Sequence, residues 1–181
     1  NTGYHEAKLL AILLFDHNGF SLDEAEHLMK QVISWDLCDH LCKNLIIKLP
    51  DYGSLIAKWC NSSGLYTKRA AFTLIAASVV SNKHINSDTL DNYLRLIFKY
   101  SCDERMHVKK AISWALREIG KKDFNYQEKA ILLAHELGAN RNESQIWIAQ
   151  HALKELENLV QVEQRGRLIS SKTKMGKEIN L

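Results

Sequence analysis

The chain has 181 residues, 46% apolar and 25% charged, a balance that excludes a wholly disordered protein. One proline and eight glycines argue against a turn-rich all-β sandwich or barrel. The formal net charge of +3 does not by itself imply a nucleic-acid partner.

Apolar residues recur at three- and four-residue spacing along nearly the whole chain, which predicts an all-α protein. Helices are expected over 4–15, 21–33, 35–49, 51–61, 65–81, 87–101, 104–119, 125–137 and 143–160. Ser21 with Glu24, and Asn125 with Glu128, have the spacing of capping boxes. His17-Asn18-Gly19, Ser62-Ser63-Gly64 and Gly138-Ala139-Asn140 read as turns. Pro50 falls where one helix stops and the next begins. After Glu163 the pattern fades, so the expected organisation is a helical domain over 1–163 and a basic, flexible tail over 164–181. No apolar run reaches the roughly 18 residues of a membrane span, and no signal-peptide pattern opens the chain. The chain begins at Asn1, not Met, so residues upstream of it are expected. Cys38, Cys42, Cys60 and Cys102 contain no Cys-x-x-Cys and read as reduced, structural thiols of a cytoplasmic protein.

Charge is segregated. Beyond Val160, Arg165, Arg167, Lys172, Lys174 and Lys177 stand against Glu163 and Glu178, which accounts for the whole +3. Acids predominate between Asp16 and Asp39, whereas Arg105 to Lys122 holds six bases and one acid. A weak internal repeat underlies this pattern. Tyr66 to Ala71, His107 to Ile112 and Ile148 to Leu153 share a basic-or-His, Ala, apolar core, and Ala70, Ala111 and Ala152 are 41 residues apart. A period near 40 with two helices per unit predicts HEAT- or armadillo-type repeats in a crescent-shaped α-α superhelix. In such stacks one helix per unit lines a common surface. Arg69, Lys110 and His151 then take equivalent places in a basic stripe.

Three groups of residues are candidates for chemistry. Trp35 and Asp39 are four apart, so they share a helix face. A half-buried Trp beside an exposed Asp is the plain structural alternative. Lys110, Trp114 and Arg117 form a base, aromatic, base face suited to a polyanion with an apolar target inside it, although a core Trp flanked by extended bases explains the same pattern. Arg69, after Trp59 and the Ser62-Ser63-Gly64 turn, says little alone. The eight histidines lack His-x-x-x-His, and Cys38 with Cys42 has no companions at zinc spacing, so no metal site is expected. Phosphate-loop, dinucleotide and nucleophile-elbow motifs are also missing, and no cofactor is expected.

Taken together these residues resemble the bacterial DNA alkylation repair glycosylases of the AlkD type. The family's Trp-Asp-x-x-Asp is similar to Trp35-Asp36-Leu37-Cys38-Asp39. Its next segment is similar to Trp59, Ser62, Tyr66 and Arg69, with Tyr66 where the family often has Trp. Its Lys-Ala-Ile-x-Trp-Ala-Leu-Arg-Glu run resembles Lys110 through Glu118 almost letter for letter, and the helix opening at His5-Glu6 resembles the family's helix upstream of the Trp-Asp motif. The likeness runs from about residue 4 to 160, and the family carries further helices upstream.

The resemblance implies a HEAT-like crescent that hydrolyses the N-glycosidic bond of cationic N3- or N7-alkylated purines in duplex DNA without flipping the base into a pocket. By that likeness Trp35, Asp39 and Trp114 flank the lesion sugar, and Arg69 lies at the DNA backbone, with Lys68, Lys110 and Arg117 as further phosphate contacts. The expected partner is alkylated double-stranded DNA, bound by a monomer away from any membrane. A non-catalytic DNA-binding relative and a HEAT-type protein-interaction scaffold are the competing expectations.

Overall fold

The computed structural model describes residues 4–15, 18–163 and 165–178. Helices α1 (His5–Leu14), α2 (Leu22–Met29), α3 (Trp35–Asn44), α4 (Tyr52–Cys60), α5 (Leu65–Ser81), α6 (Ser87–Tyr100), α7 (Met106–Gly120), α8 (Phe124–Ala139) and α9 (Glu143–Leu156) follow in order, with a 3-10 turn at Ile46–Lys48. All nine helices expected from periodicity form. The helix expected over 35–49 breaks after Asn44 into the 3-10 turn, and α9 ends at Leu156.

The helices build two layers. α1, α3, α5, α7 and α9 pack side by side, while α4 backs α5, and α6 and α8 back α7. This is the stacked helix-pair arrangement that the 41-residue period predicts. Ala70, Ala111 and Ala152 are fully buried on matching turns of α5, α7 and α9, where a larger side chain would hold the helices apart. α5 is the central helix, with an unbroken buried run from Arg69 to Ala76, whereas α6 buries only the stripe of Leu90, Tyr93 and Ile97. Close packing of α3 on α5 is made by thiols: Cys38 Sγ donates to the Tyr66 carbonyl at 3.4 Å and Cys42 Sγ to the Ala70 carbonyl at 3.8 Å. All four cysteines are free, and only Cys102 is exposed. Burial pushes the Cys42 thiol well up, helped by Cys38 beside it, and pushes Cys60 up to about 12, so both are packing groups and not nucleophiles.

Side-chain caps close the N-termini of α2, α3, α6, α8 and α9. Ser21 and Glu24 form a complete capping box on α2. The box expected at Asn125 and Glu128 does not form. Asp123 comes first and accepts from Tyr126 N at 2.9 Å, so α8 starts at Phe124 and Asn125 lies inside its first turn. Gly19 takes a positive φ of 81° in the turn expected there; His17 lies outside the described residues.

The C-terminal segment, expected as a flexible tail, carries secondary structure over its described residues. Strand β1 (Leu159–Val160) pairs antiparallel with β2 (Ile169–Ser170), and a single helical turn, α10 (Lys174–Lys177), follows. Leu168 is buried, its N–H donates to the Lys121 carbonyl at 2.9 Å, and Ser171 N–H donates to the Asn158 carbonyl at 2.7 Å. Two-residue strands and one helical turn carry no periodicity, so the sequence gives no signal of them. Among the described residues no helix is long and apolar enough to cross a membrane.

Candidate functional site

α3 presents the first group. Ser34 caps the helix, accepting from Leu37 N, and places Trp35 at its first position. The Trp35 side chain is 53% exposed, an open aromatic surface at the start of a helix. Asp36, beside it, accepts from Ser34 Oγ at 2.5 Å and Leu37 N at 2.9 Å, and pairs with His5 Nε2 at 2.6 Å, fastening α1 to α3. The Ser34 and His5 hydrogen bonds hold its carboxyl down to about 2.

Asp39 lies one turn beyond Trp35. Its Oδ1 accepts from Arg69 Nε at 3.0 Å and Thr73 Oγ1 at 3.0 Å, and its Oδ2 from Arg69 Nη2 at 2.8 Å. The third guanidinium nitrogen, Nη1, donates to the His107 carbonyl at 2.7 Å, so Arg69 joins α3, α5 and the first turn of α7. The pair is largely out of water, with side-chain exposures of 7% for Arg69 and 15% for Asp39. The fork also lies 5.9 Å from the centre of the Trp35 ring. A bidentate guanidinium fixes both the position and the plane of a carboxylate.

Trp114 belongs to the same region. Lys43, one turn beyond Asp39 on α3, lies 5.6 Å from its ring centre. The indole N–H donates to Glu118 Oε1 at 3.2 Å. Glu118 is itself buried and receives Lys121 Nζ at 3.1 Å and Arg167 Nη2 at 2.8 Å.

The expected phosphate contacts fare differently from one another. Arg69 is not open to a backbone phosphate, because its three nitrogens are all engaged inside the protein. Lys68 is paired with Asp103 at 3.3 Å beside the Tyr100 ring, and Arg117 with Glu155 at 2.6 Å. Burial alone would raise Glu155, but Lys121 and Arg117 outweigh it and hold its carboxyl low. Lys110 is exposed and, among the described residues, makes no ion pair. At the third equivalent position His151 stacks on Trp147, with ring centres 3.7 Å apart and Lys109 near the same ring. Thr73, Lys43, Glu118 and Arg167 were not anticipated. The first three stand one helical turn from Arg69, Asp39 and Trp114, a spacing that points to them. No pattern points to Arg167. Among the described residues no group of three or more His, Cys, Asp or Glu is placed to hold a metal ion.

The sequence profile of the DNA alkylation repair enzyme family matches residues 1–156. The chain belongs to the DNA alkylation repair enzyme family. The fold agrees. A solved structure described as belonging to a new family of proteins related to the HEAT-like repeat DNA glycosylases, with affinity for branched DNA structures, has a TM-score of 0.66. The likeness spans 99% of this chain and 70% of that one at 14% identity, and it establishes the HEAT-like fold. No curated protein sequence matches. Trp35, Asp39, Arg69 and Trp114 all fall within the part of the chain that matches the DNA alkylation repair family, whereas Arg167 and the hairpin fall outside it.

Proposed function

We propose that this DNA alkylation repair protein is a glycosylase that releases cationic N3- or N7-alkylated purines from duplex DNA, without drawing the base into a pocket. The observation that carries the reading is the Asp39 carboxylate, clamped by Arg69 and Thr73, with the guanidinium over the ring of the half-exposed Trp35. An alkylated purine carries a positive charge, so the C1′–N bond breaks with its electron pair going to the base, and no acid is needed. The sugar left behind is oxocarbenium-like and requires a fixed negative charge. Two donors occupy Asp39 Oδ1 but only one occupies Oδ2, which leaves an acceptor position on Oδ2 for a water molecule. That water attacks C1′ and Asp39 takes its proton. The indole faces of Trp35 and Trp114 attract the cationic sugar and base, at about 0.5–2 kcal/mol each. Lys110 contacts a phosphate. Arg69 does not meet a phosphate and instead serves as the positioning residue of Asp39.

Incubation of the protein with methylated duplex DNA tests the proposal, with free 7-methylguanine as the readout. Release at a rate above the spontaneous one supports it. Binding of duplex with no release favours the second reading, a DNA-binding member without catalysis, which draws on the structural relative described as having affinity for branched DNA.

A further inference from the structure

We infer that the C-terminal segment is part of the site, with Arg167 as a positioning residue for Trp114. This rests on the reading of Trp114 as a site residue. Glu118 is the link. One carboxylate oxygen, Oε1, accepts from the Trp114 indole N–H at 3.2 Å and from Lys121 at 3.1 Å. The other, Oε2, accepts from Arg167 Nη2 at 2.8 Å, and the same nitrogen reaches the Glu118 backbone carbonyl at 2.7 Å. Arg167 therefore fixes both the main chain and the side chain of the residue that holds the indole.

Glu118 is 8% exposed, so its charge is shielded from water and depends on its partners. Lys121 is shared with Glu155, at 2.7 Å, whereas among the described residues Arg167 forms its ion pair with Glu118 and no other acid. Arg167 is in turn held by its neighbour Leu168, whose buried side chain and 2.9 Å bond to the Lys121 carbonyl pin the strand to the end of α7. Glu118 and Arg167 both line an open cleft of about 790 Å³ between this segment and the ends of α5, α7 and α9. The indole N–H of Trp114 consequently reports on a segment that follows it by some fifty residues and lies beyond the family-matched part of the chain.

The test uses Arg167→Met and Arg167→Lys, and follows the four tryptophan indole N–H resonances by NMR, with Trp114 assigned through Trp114→Phe. Arg167→Met is expected to move the Trp114 resonance while those of Trp35, Trp59 and Trp147 stay in place, which also shows that the variant is folded. It is expected to lower the single-turnover rate of base release about 10–100-fold with little change in duplex affinity, the signature of a misplaced group. Arg167→Lys is expected to recover part of both. An unmoved Trp114 resonance overturns the inference, and so does a shifted resonance with an unchanged rate of release. If the wild-type protein releases no base, the glycosylase reading fails separately; the positioning of Trp114 by Arg167 is then decided by the Trp114 resonance, which must move in Arg167→Met and recover in part in Arg167→Lys.

Discussion

Asp39 and Arg69 depend on each other. Replacing Arg69 with Met leaves a shielded carboxylate facing Thr73 alone, and such an uncompensated charge costs about 3–5 kcal/mol in a fully buried site, less here because Asp39 keeps some access to water. Urea denaturation is expected to show a loss of about 2–4 kcal/mol for Arg69→Met. Arg69→Lys retains the charge but not the fork, so it is expected to recover stability more than activity. Asp36 supplies a pH signature. Its carboxyl is held at about 2 in the folded protein against an ordinary 3.8, so its contribution is complete above about pH 4 and is lost as the pH falls through about 2. A thermal-denaturation series is expected to show Asp36→Asn less stable than wild type at neutral pH, with the gap closing in acid. The placement of Trp35 and Asp39 one turn apart on one helix was legible from helical spacing. The role of Arg69 was not, since the same residue type serves a phosphate or a buried carboxylate, and only the fold decides which.

Elements with long apolar periodicity were the legible ones. α5 is read within its observed bounds because its capping turn and its buried run are both local. α8 was misplaced at its start because two capping residues compete and Asp123 is met first. Ser21→Ala removes one half of the α2 box and is expected to lower stability by about 1 kcal/mol, checked by urea denaturation. The hairpin and α10 escaped notice because long-range anchors, Leu168 on Lys121 and Arg167 on Glu118, hold them instead of local pattern. Gly176 shows how closely that segment packs: a Cβ there would meet the backbone carbonyl oxygen of Ser170 and the Cα of Ser171. Gly176→Val is therefore expected to loosen the segment, and limited proteolysis is expected to cut the variant after Val160 more readily than wild type.

Across the whole molecule, the basic block from Arg105 to Lys122 offers DNA less charge than its composition suggests. Arg105 pairs with Asp103, Arg117 and Lys121 with Glu155, and Lys122 with the Lys83 carbonyl. The pairs with Glu155 join α7 to α9 and the others tie down the loops at the helix ends, so the charges serve the fold first. Lys110 remains directed to solvent. Lys110→Ala is accordingly expected to weaken duplex binding at low salt and to reduce the slope of log affinity against log salt by about 0.9, measured by a salt titration. The 41-residue period made this stack legible, but it did not show which bases pair, because the partners Asp103 and Glu155 come from other helices and turns.

The most direct measurement is single-turnover release of 7-methylguanine from methylated duplex DNA by wild type and by Asp39→Asn, with duplex affinity measured on both. Asn retains the shape of the side chain and removes the charge on which the proposed cleavage rests. Release by wild type, lost in Asp39→Asn with affinity largely preserved, is the predicted result. Equal release by both proteins, or none by either, contradicts the account of Asp39 as the carboxylate that drives glycosidic cleavage.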